Sequence, residues 1–457
     1  MDKRIKSIIK KSFVVINNII QDRAVLFGFS NKFWLFISSA VTAPIIIIYF
    51  SPTLQGFYYT FLSVLGIQSL FVLGLGQLLQ QFISHEWIKI NHLPGKGFEG
   101  DSQAILKLSN IKQFTIKWFS ILSLLLFLSL SIGGYFFMKQ TSYNSGIPIS
   151  FWLAPWLVIS FLKSLQLFTS PVVTFLEGIN EVENVNRFRF SQSLQERITS
   201  WIIIIIGGKL WLFSAAAGIN IWGQFIFFKK KYSSILKDLI KLKSKKNDIW
   251  KREILPLQWK YAVSSLSGYL NFSFIVPLIF WFLGAVTAGQ MGITWAIITM
   301  FWGLSVTLIT TKIPTFAMNA ANKDYKKLDK LFFNSTLVST IFLVFTSISL
   351  LIIIVIIKII YPEISSRFLS LLPFTMFSLS IIPHHLKFAM ASYMRALKQE
   401  PFWKISIIES LLILFIIPLS CKYAGIEGVS ICLLGIIILI TCLTYFKFNR
   451  IKNEMVC

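Results

Sequence analysis

The sequence predicts an all-α polytopic membrane protein of about twelve transmembrane helices, arranged as two six-helix bundles around a central cavity. Three observations carry that prediction. The 457 residues are 55% hydrophobic and 16% aromatic with a mean hydropathy of +0.69, more apolar surface than a soluble chain hides and what a bilayer requires. Only 14% of residues are charged, and they cluster between apolar runs long enough to cross a membrane. The 44 Lys and Arg against 19 Asp and Glu fall almost entirely on alternate connections, which is the bias that fixes topology.

The first 30 residues read as a cytoplasmic amphipathic segment. Over 4–20, Ile5, Ile8, Ile9, Phe13, Ile16 and Ile20 recur at helical spacing among Lys and Asn. That pattern suits a helix lying in the membrane interface, and no small-residue cleavage site follows it to suggest a secretory signal. A crossing helix needs about 20 mostly apolar residues. By that measure the spans are expected at 31–50, 57–79, 115–138, 151–174, 198–213, 214–229, 261–283, 289–311, 334–358, 368–387, 404–420 and 427–446. The domains follow: an N-terminal six-helix bundle over 31–229, a basic cytoplasmic linker over 230–260, a C-terminal bundle over 261–446 and a cytoplasmic tail over 447–457.

With both termini inside, the basic residues left on outside loops are Lys139, Lys209, Lys358, Arg367 and Lys422, and Lys163 lies within a span. The net charge of +25 thus reports orientation and contact with anionic lipid heads. No basic, aromatic-interleaved soluble domain is present to bind nucleic acid. Cys421, Cys432, Cys442 and Cys457 form no spaced pairs, so neither a disulfide framework nor a zinc ribbon is expected.

The basic linker divides the spans into two sets of six, and the sets correspond by position. Pro52-Thr53-Leu54-Gln55-Gly56 joins spans one and two as Ala285-Val286-Thr287-Ala288-Gly289 joins spans seven and eight. Phe175-Leu176-Glu177-Gly178-Ile179-Asn180 leaves span four as Tyr393-Met394-Arg395-Ala396-Leu397-Lys398 leaves span ten.

Ionisable and amide side chains inside spans are costly in hydrocarbon and so are functional candidates. Lys163, in WLVISFLKSLQLF, lies near the middle of span four with Gln166 beside it and no acid within a turn. Glu409 in span eleven is the matching acid, either paired with a cation or poised for proton coupling. Gln68 and Gln290 are expected to face the interior of spans two and eight, and Asn271 sits in span seven; such amides also serve to hold helices together. Arg23, Asn31 and Lys32 lie at the mouth of span one and Lys312 at the end of span eight, where they either meet phosphate or anchor the helix ends. His384-His385 with Lys387 closes span ten and reads as interfacial.

His85-Glu86 invites a zinc reading, but HEWIKINH puts His92 seven residues after His85, not one turn on, and no third ligand is evident. Trp87 is better read as an interfacial anchor at the cytoplasmic exit of span two. Gly66, Gly74 and Gly76 allow that span to pack closely or bend.

Two stretches resemble a known family. SPTLQGFYYTFLSVLGIQSLFVLGLGQLLQQFISHEW (51–87) and FLEGINEVENVNRFRFSQSLQERI (175–198) are similar to segments of Wzx-type O-antigen and polysaccharide flippases. These belong to a superfamily with the multidrug (MATE) exporters and the lipid II flippase. The resemblance implies a MATE-like fold in the bacterial inner membrane, moving an undecaprenyl-pyrophosphate-linked oligosaccharide from the cytoplasmic to the periplasmic face. The sugar would cross a basic and polar cavity while the tail stays in lipid, with a polysaccharide polymerase and a chain-length regulator as partners.

The residues themselves leave a MATE-type cation-coupled drug exporter as the alternative, although one deep acid against one deep cation does not make an acidic cavity. No cofactor is expected, with coupling to protons or sodium left open. An enzyme is not expected: the longest outside loops, 139–150 and 359–367, are too short for an active site, and no carboxylate pair, nucleotide loop or metal motif appears.

Overall fold

A computed structural model describes residues 23–72, 75–242, 263, 266–397 and 399–456. The interfacial helix expected over 4–20, and residues 243–260 of the basic linker, lie outside them. The chain is nearly all helix, with a single two-stranded hairpin among the described residues.

Helix α1 (Arg23–Tyr49) covers span one. The second span is not one helix. It is three, α2 (Pro52–Leu65), α3 (Gln68–Val72) and α4 (Leu75–Trp87), broken first at Gly66, whose carbonyl is taken by the Ser69 hydroxyl at 2.8 Å. Ser51 accepts from the Leu54 N–H at 3.2 Å and Pro52 follows it, which satisfies an orphan donor and pre-sets the first turn. After α4 come β1 (Ile90–Leu93) and β2 (Gly97–Gly100), antiparallel with His92 opposite Phe98. Next is α5 (Ser102–Leu128), capped by Asp101 and continued through a π-helical turn at Ser129–Gly133 into α6 (Gly134–Asn144).

Helix α7 (Ile149–Gly178) carries span four, α8 (Val182–Ile205) and α9 (Trp211–Lys231) carry spans five and six, and α10 (Ser233–Lys241) is short and amphipathic. The turn between spans five and six therefore falls at 206–210, not at 213–214 as hydropathy suggested. The helix that carries span five starts well before 198, at Val182. Beyond the linker, a helical stretch over 266–272 leads into α11 (Ile275–Thr310), which kinks at Gly284 (φ 87°), and then α12 (Ile313–Ala321). The remainder is α13 (Tyr325–Ile360), α14 (Pro362–Ser365), α15 (Leu371–Ala396) and α16 (Trp403–Val456), the last kinked at Gly425.

Seven described helical stretches are long and apolar enough to cross a membrane, and the two kinked ones each hold two expected spans. With α2–α4, α8 and α15 all twelve expected spans are represented, in a multi-pass membrane protein.

Two compact units form: the chain passes from one to the other at 258/259, at the end of the expected linker, but residues 46–70 and 134–151 of the N-terminal half join the second. Unit 1 comprises 1–45, 71–133 and 152–258; unit 2 comprises 46–70, 134–151 and 259–457. Within unit 1, Trp34 packs on Trp201 at 5.9 Å, and Trp201 Nε1 donates to Thr42 Oγ1 at 2.9 Å. Phe188 and Phe227 stack at 4.3 Å between α8 and α9.

Within unit 2, α2 lies directly against α11. A Cβ on Gly56 would stand 1.8 Å from the Ala285 carbonyl oxygen, and one on Gly289 would stand 2.8 Å from the Gly56 nitrogen. Only glycine permits backbones to meet this closely. The contact draws residues 46–70 into the unit of the C-terminal helices. Gln55, 1% exposed, locks it by donating to the carbonyls of Gly289 at 2.8 Å and Arg367 at 3.1 Å.

Gly56→Ala should therefore force the two backbones apart and cost about 1–3 kcal/mol as overpacking does. Gly303→Ala, with nothing within 4 Å of its added carbon, should leave stability unchanged. Thermal unfolding of the two purified variants in detergent checks the contrast.

Candidate functional site

The membrane-embedded polar side chains gather in two places, one in each unit. In unit 1 they form a seam across α7, α8 and α9. Helical spacing sets Lys163, Gln166 and Thr169 along one side of α7, Gln192 and Glu196 along α8, and Asn220 and Gln224 along α9. Lys163 Nζ donates to Gln166 Oε1 at 3.1 Å. Asn220 Nδ2 donates to Glu196 Oε2 at 3.0 Å, and Gln192 Nε2 donates to the Asn220 carbonyl at 3.3 Å. Thr169 Oγ1 donates to Gln224 Oε1 at 3.3 Å.

Glu196 is the acid whose charge acts on Lys163; the direct partner of the ammonium is the amide of Gln166. Sequence reasoning missed Glu196, because it placed the start of span five at 198. The helix that carries span five thus bears a second acid, and Lys163 is not without one. The Asn220 Oδ1 is buried with no hydrogen-bond partner among the described residues. A cation, a carboxylate and several amides in one seam are the functional groups that bind anionic, hydroxyl-rich solutes.

In unit 2 the centre is Glu409, 1% exposed on α16. Its Oε1 forms an ion pair with Lys387 Nζ of α15, and its Oε2 accepts from Ser267 Oγ at 3.2 Å. Asn271 Nδ2 donates to the Ser267 carbonyl at 2.9 Å, while its Oδ1 has no partner among the described residues. Glu409 is thus paired with a cation.

The histidines, expected to be interfacial, are buried among the helices of unit 2, and α15 continues past them to Ala396. His384 packs edge-on against Phe272 at 4.5 Å and near Trp302 at 5.6 Å, and the fully buried His385 shares a 2.8 Å hydrogen bond with Ser339 Oγ.

The other candidates lie outside both clusters. Arg23 and Lys32 are exposed on α1, and Asn31 is half-buried with its Oδ1 unpartnered among the described residues. Gln68 opens α3, half-buried. Gln290 donates to the Ser366 carbonyl at 2.8 Å, so it ties α11 to the loop after α14 and does not face an interior; the buried amide at that end is Gln55. Lys312 is exposed at the start of α12. Lys163, Gln166, Arg23, Asn31 and Lys32 fall in unit 1, and Gln68, Asn271, Gln290, Lys312 and Glu409 in unit 2.

At the end of α4, Glu86 is buried and paired with Lys107 at 3.0 Å. His92 turns away from His85 to meet Asp238 of α10 at 3.1 Å. Glu86 and His92 of the apparent metal motif thus have partners outside it, while the exposed His85 lies 3.5 Å from Glu86.

Removing one member of the Lys387–Glu409 pair leaves a charge in a dry interior, at a cost of about 3–5 kcal/mol. Glu409→Met and Lys387→Met alone should each lower the unfolding temperature markedly. The double change to methionine at both positions should recover most of that loss, which a double-mutant cycle in detergent measures.

No family model matches the chain, and no curated protein sequence matches it. Solved structures do. The lipid II flippase MurJ in an inward closed conformation superposes with a TM-score of 0.64 at 15% identity, over 93% of this chain and 87% of that one. An inward-facing multidrug-resistance MATE transporter of the MOP superfamily gives 0.61 at 11% identity, over 94% and 95%. A Vibrio cholerae MATE transporter gives 0.52 at 15% identity, over 94% and 96%. The chain has the fold of these membrane transporters along nearly its whole length.

Proposed function

We propose that the chain is a flippase that carries an undecaprenyl-pyrophosphate-linked oligosaccharide, an O-antigen or related surface-polysaccharide repeat unit, from the cytoplasmic to the periplasmic face of the inner membrane by alternating access. The observation that carries this reading is the seam around Lys163. A pyrophosphate-linked sugar cannot enter hydrocarbon without substitutes for its water. An ammonium held by an amide supplies a counter-charge for phosphate, and Gln166, Thr169, Gln192, Asn220 and Gln224 supply donors and acceptors for hydroxyls. The fold shared with a lipid II flippase supports the same substrate class.

The lipid tail needs no such path and stays in the bilayer. A polymerase and a chain-length regulator are the partners this role requires downstream. Proton or sodium coupling would be assigned to Glu409, with Lys387 giving up the carboxylate when the coupling ion takes its place.

A second reading, a MATE-type cation-coupled exporter, is favoured by Glu196: with it the membrane-embedded groups include two carboxylates, which suit a cationic substrate.

The two readings separate in liposomes holding the purified protein and a fluorescent undecaprenyl-pyrophosphate oligosaccharide, with access to an impermeant glycosidase as the readout. Translocation by the unaltered protein is expected. Lys163→Ala should reduce it by roughly 10- to 100-fold, the range for losing one charge-assisted hydrogen bond of about 1.5–3 kcal/mol. Uptake of cationic dyes with no glycan movement under any ion gradient would establish the exporter instead.

A further inference from the structure

Unit 1 also contains an apolar cavity of about 270 Å³, which shares only Thr169 with the seam. Its walls are the ends of α4, α5 and α7 that the positive-inside bias assigns to the cytoplasm, and α10 roofs it with Leu236, Leu239 and Ile240. Ile116 and Phe168 line it and are also 48% and 42% exposed. The cavity therefore opens sideways, between helices that face lipid. A dry apolar space stays free of water and accepts hydrocarbon.

Lys112 is the one cation lining the cavity among the described residues, and α10 carries two more on its exposed face. Lys112 Nζ donates to the carbonyls of Ile240 at 3.2 Å and Leu242 at 2.6 Å, which leaves one of its three donors free. Lys237 and Lys241 stand four apart on the exposed face of α10, and neither has a carboxylate partner among the described residues. The one acid of the helix, Asp238, is turned inward to His92.

The roof is also fixed from three sides. Tyr232, just before α10, donates to Glu181 at 2.6 Å, Asp238 holds His92 of the hairpin, and Lys112 holds the C-terminal carbonyls. Burial, with Glu181 accepting the bond, pushes the Tyr232 phenol above its ordinary range, so the first tether stays protonated at any physiological pH.

We infer that this cavity is a binding site for one acyl chain of an anionic phospholipid of the cytoplasmic leaflet, with the headgroup phosphate at Lys112, Lys237 and Lys241. The volume suits part of a single chain, and the unpaired lysines select an anionic head. The site would tie α10, and with it the basic linker, to the composition of the bilayer. This inference stands on unit 1 alone and does not depend on which solute the protein carries.

The full-length protein in zwitterionic nanodiscs, doped with phosphatidylglycerol bearing a diazirine on its acyl chain, tests it. After illumination, labelled peptides should come from 108–116 and 236–240, and the same chain on phosphatidylcholine should label them about fivefold less for each lysine engaged. Leu239→Trp, which fills the cavity, should abolish that labelling, and Lys112→Gln should reduce the preference for the anionic head. Equal labelling from both headgroups, or labelling unchanged in Leu239→Trp, overturns the inference. Stronger labelling of these peptides by a photoreactive polyprenyl phosphate overturns the identity of the occupant. Should the tryptophan variant fail to fold, competition on the unaltered protein decides: unlabelled phosphatidylglycerol removes the signal if the site is saturable, and a signal that resists competition sinks it.

Discussion

Inside hydrocarbon a polar group has no water to fall back on, and every donor or acceptor must find its partner within the protein. Much of the local structure answers that constraint. Hydroxyls bond back to their own helices, as Thr115 does to the Ile111 carbonyl at 2.5 Å and Ser164 to the Ser160 carbonyl at 2.8 Å. Tryptophan N–H groups reach across to carbonyls, as Trp156 does to Leu130 at 2.8 Å. Charges meet charges or amides, as Glu409 and Lys163 do. The same rule gives the unsatisfied atoms their meaning: Asn220 Oδ1 and Asn271 Oδ1 each belong to a side chain whose other end is engaged in one of the two polar clusters.

Those clusters differ in kind. Around Glu409 the charges are in contact, and the arrangement is closed on itself. Around Lys163 the cation leans on a neutral amide, while the nearby carboxylate is held by Asn220. A cation with an amide as its direct partner is available to an incoming anion at less expense than one locked in a buried ion pair, whose rupture strands both partners. This is the physical ground for placing solute contact in unit 1 and for treating the Glu409 cluster as the one that would respond to an ion.

Hydropathy and charge bias made the number, order and approximate ends of most helices legible, because those properties are what the bilayer selects. They failed where two apolar spans follow each other closely. From Trp201 to Phe228 apolar residues dominate, with Ser214, Asn220 and Gln224 among them, and Gly207-Gly208-Lys209, more than the average hydropathy, marks the turn. The same shift hid Glu196, since a charge is recognised as embedded only once the span around it is drawn correctly. Gln55 escaped notice because it was grouped with a loop, whereas Ser51 and Pro52 start a helix ahead of it. That residues 46–70 belong with the C-terminal helices was not legible. It depends on which glycines on distant helices meet, and pairing of that sort leaves no periodic trace.

The close approach of α2 and α11 has one further consequence. Where side chains separate two helices, a displacement of a fraction of an ångström can be absorbed by rotamer changes, and the helices can slide. At Gly56 and Gly289 no such cushion exists: backbone rests on backbone, so a small shift either collides or forfeits the contact and with it the Gln55 hydrogen bonds. Any motion at this end of unit 2 would therefore have to make or break the contact whole, without stable half-way positions, as packed interfaces with two discrete arrangements behave.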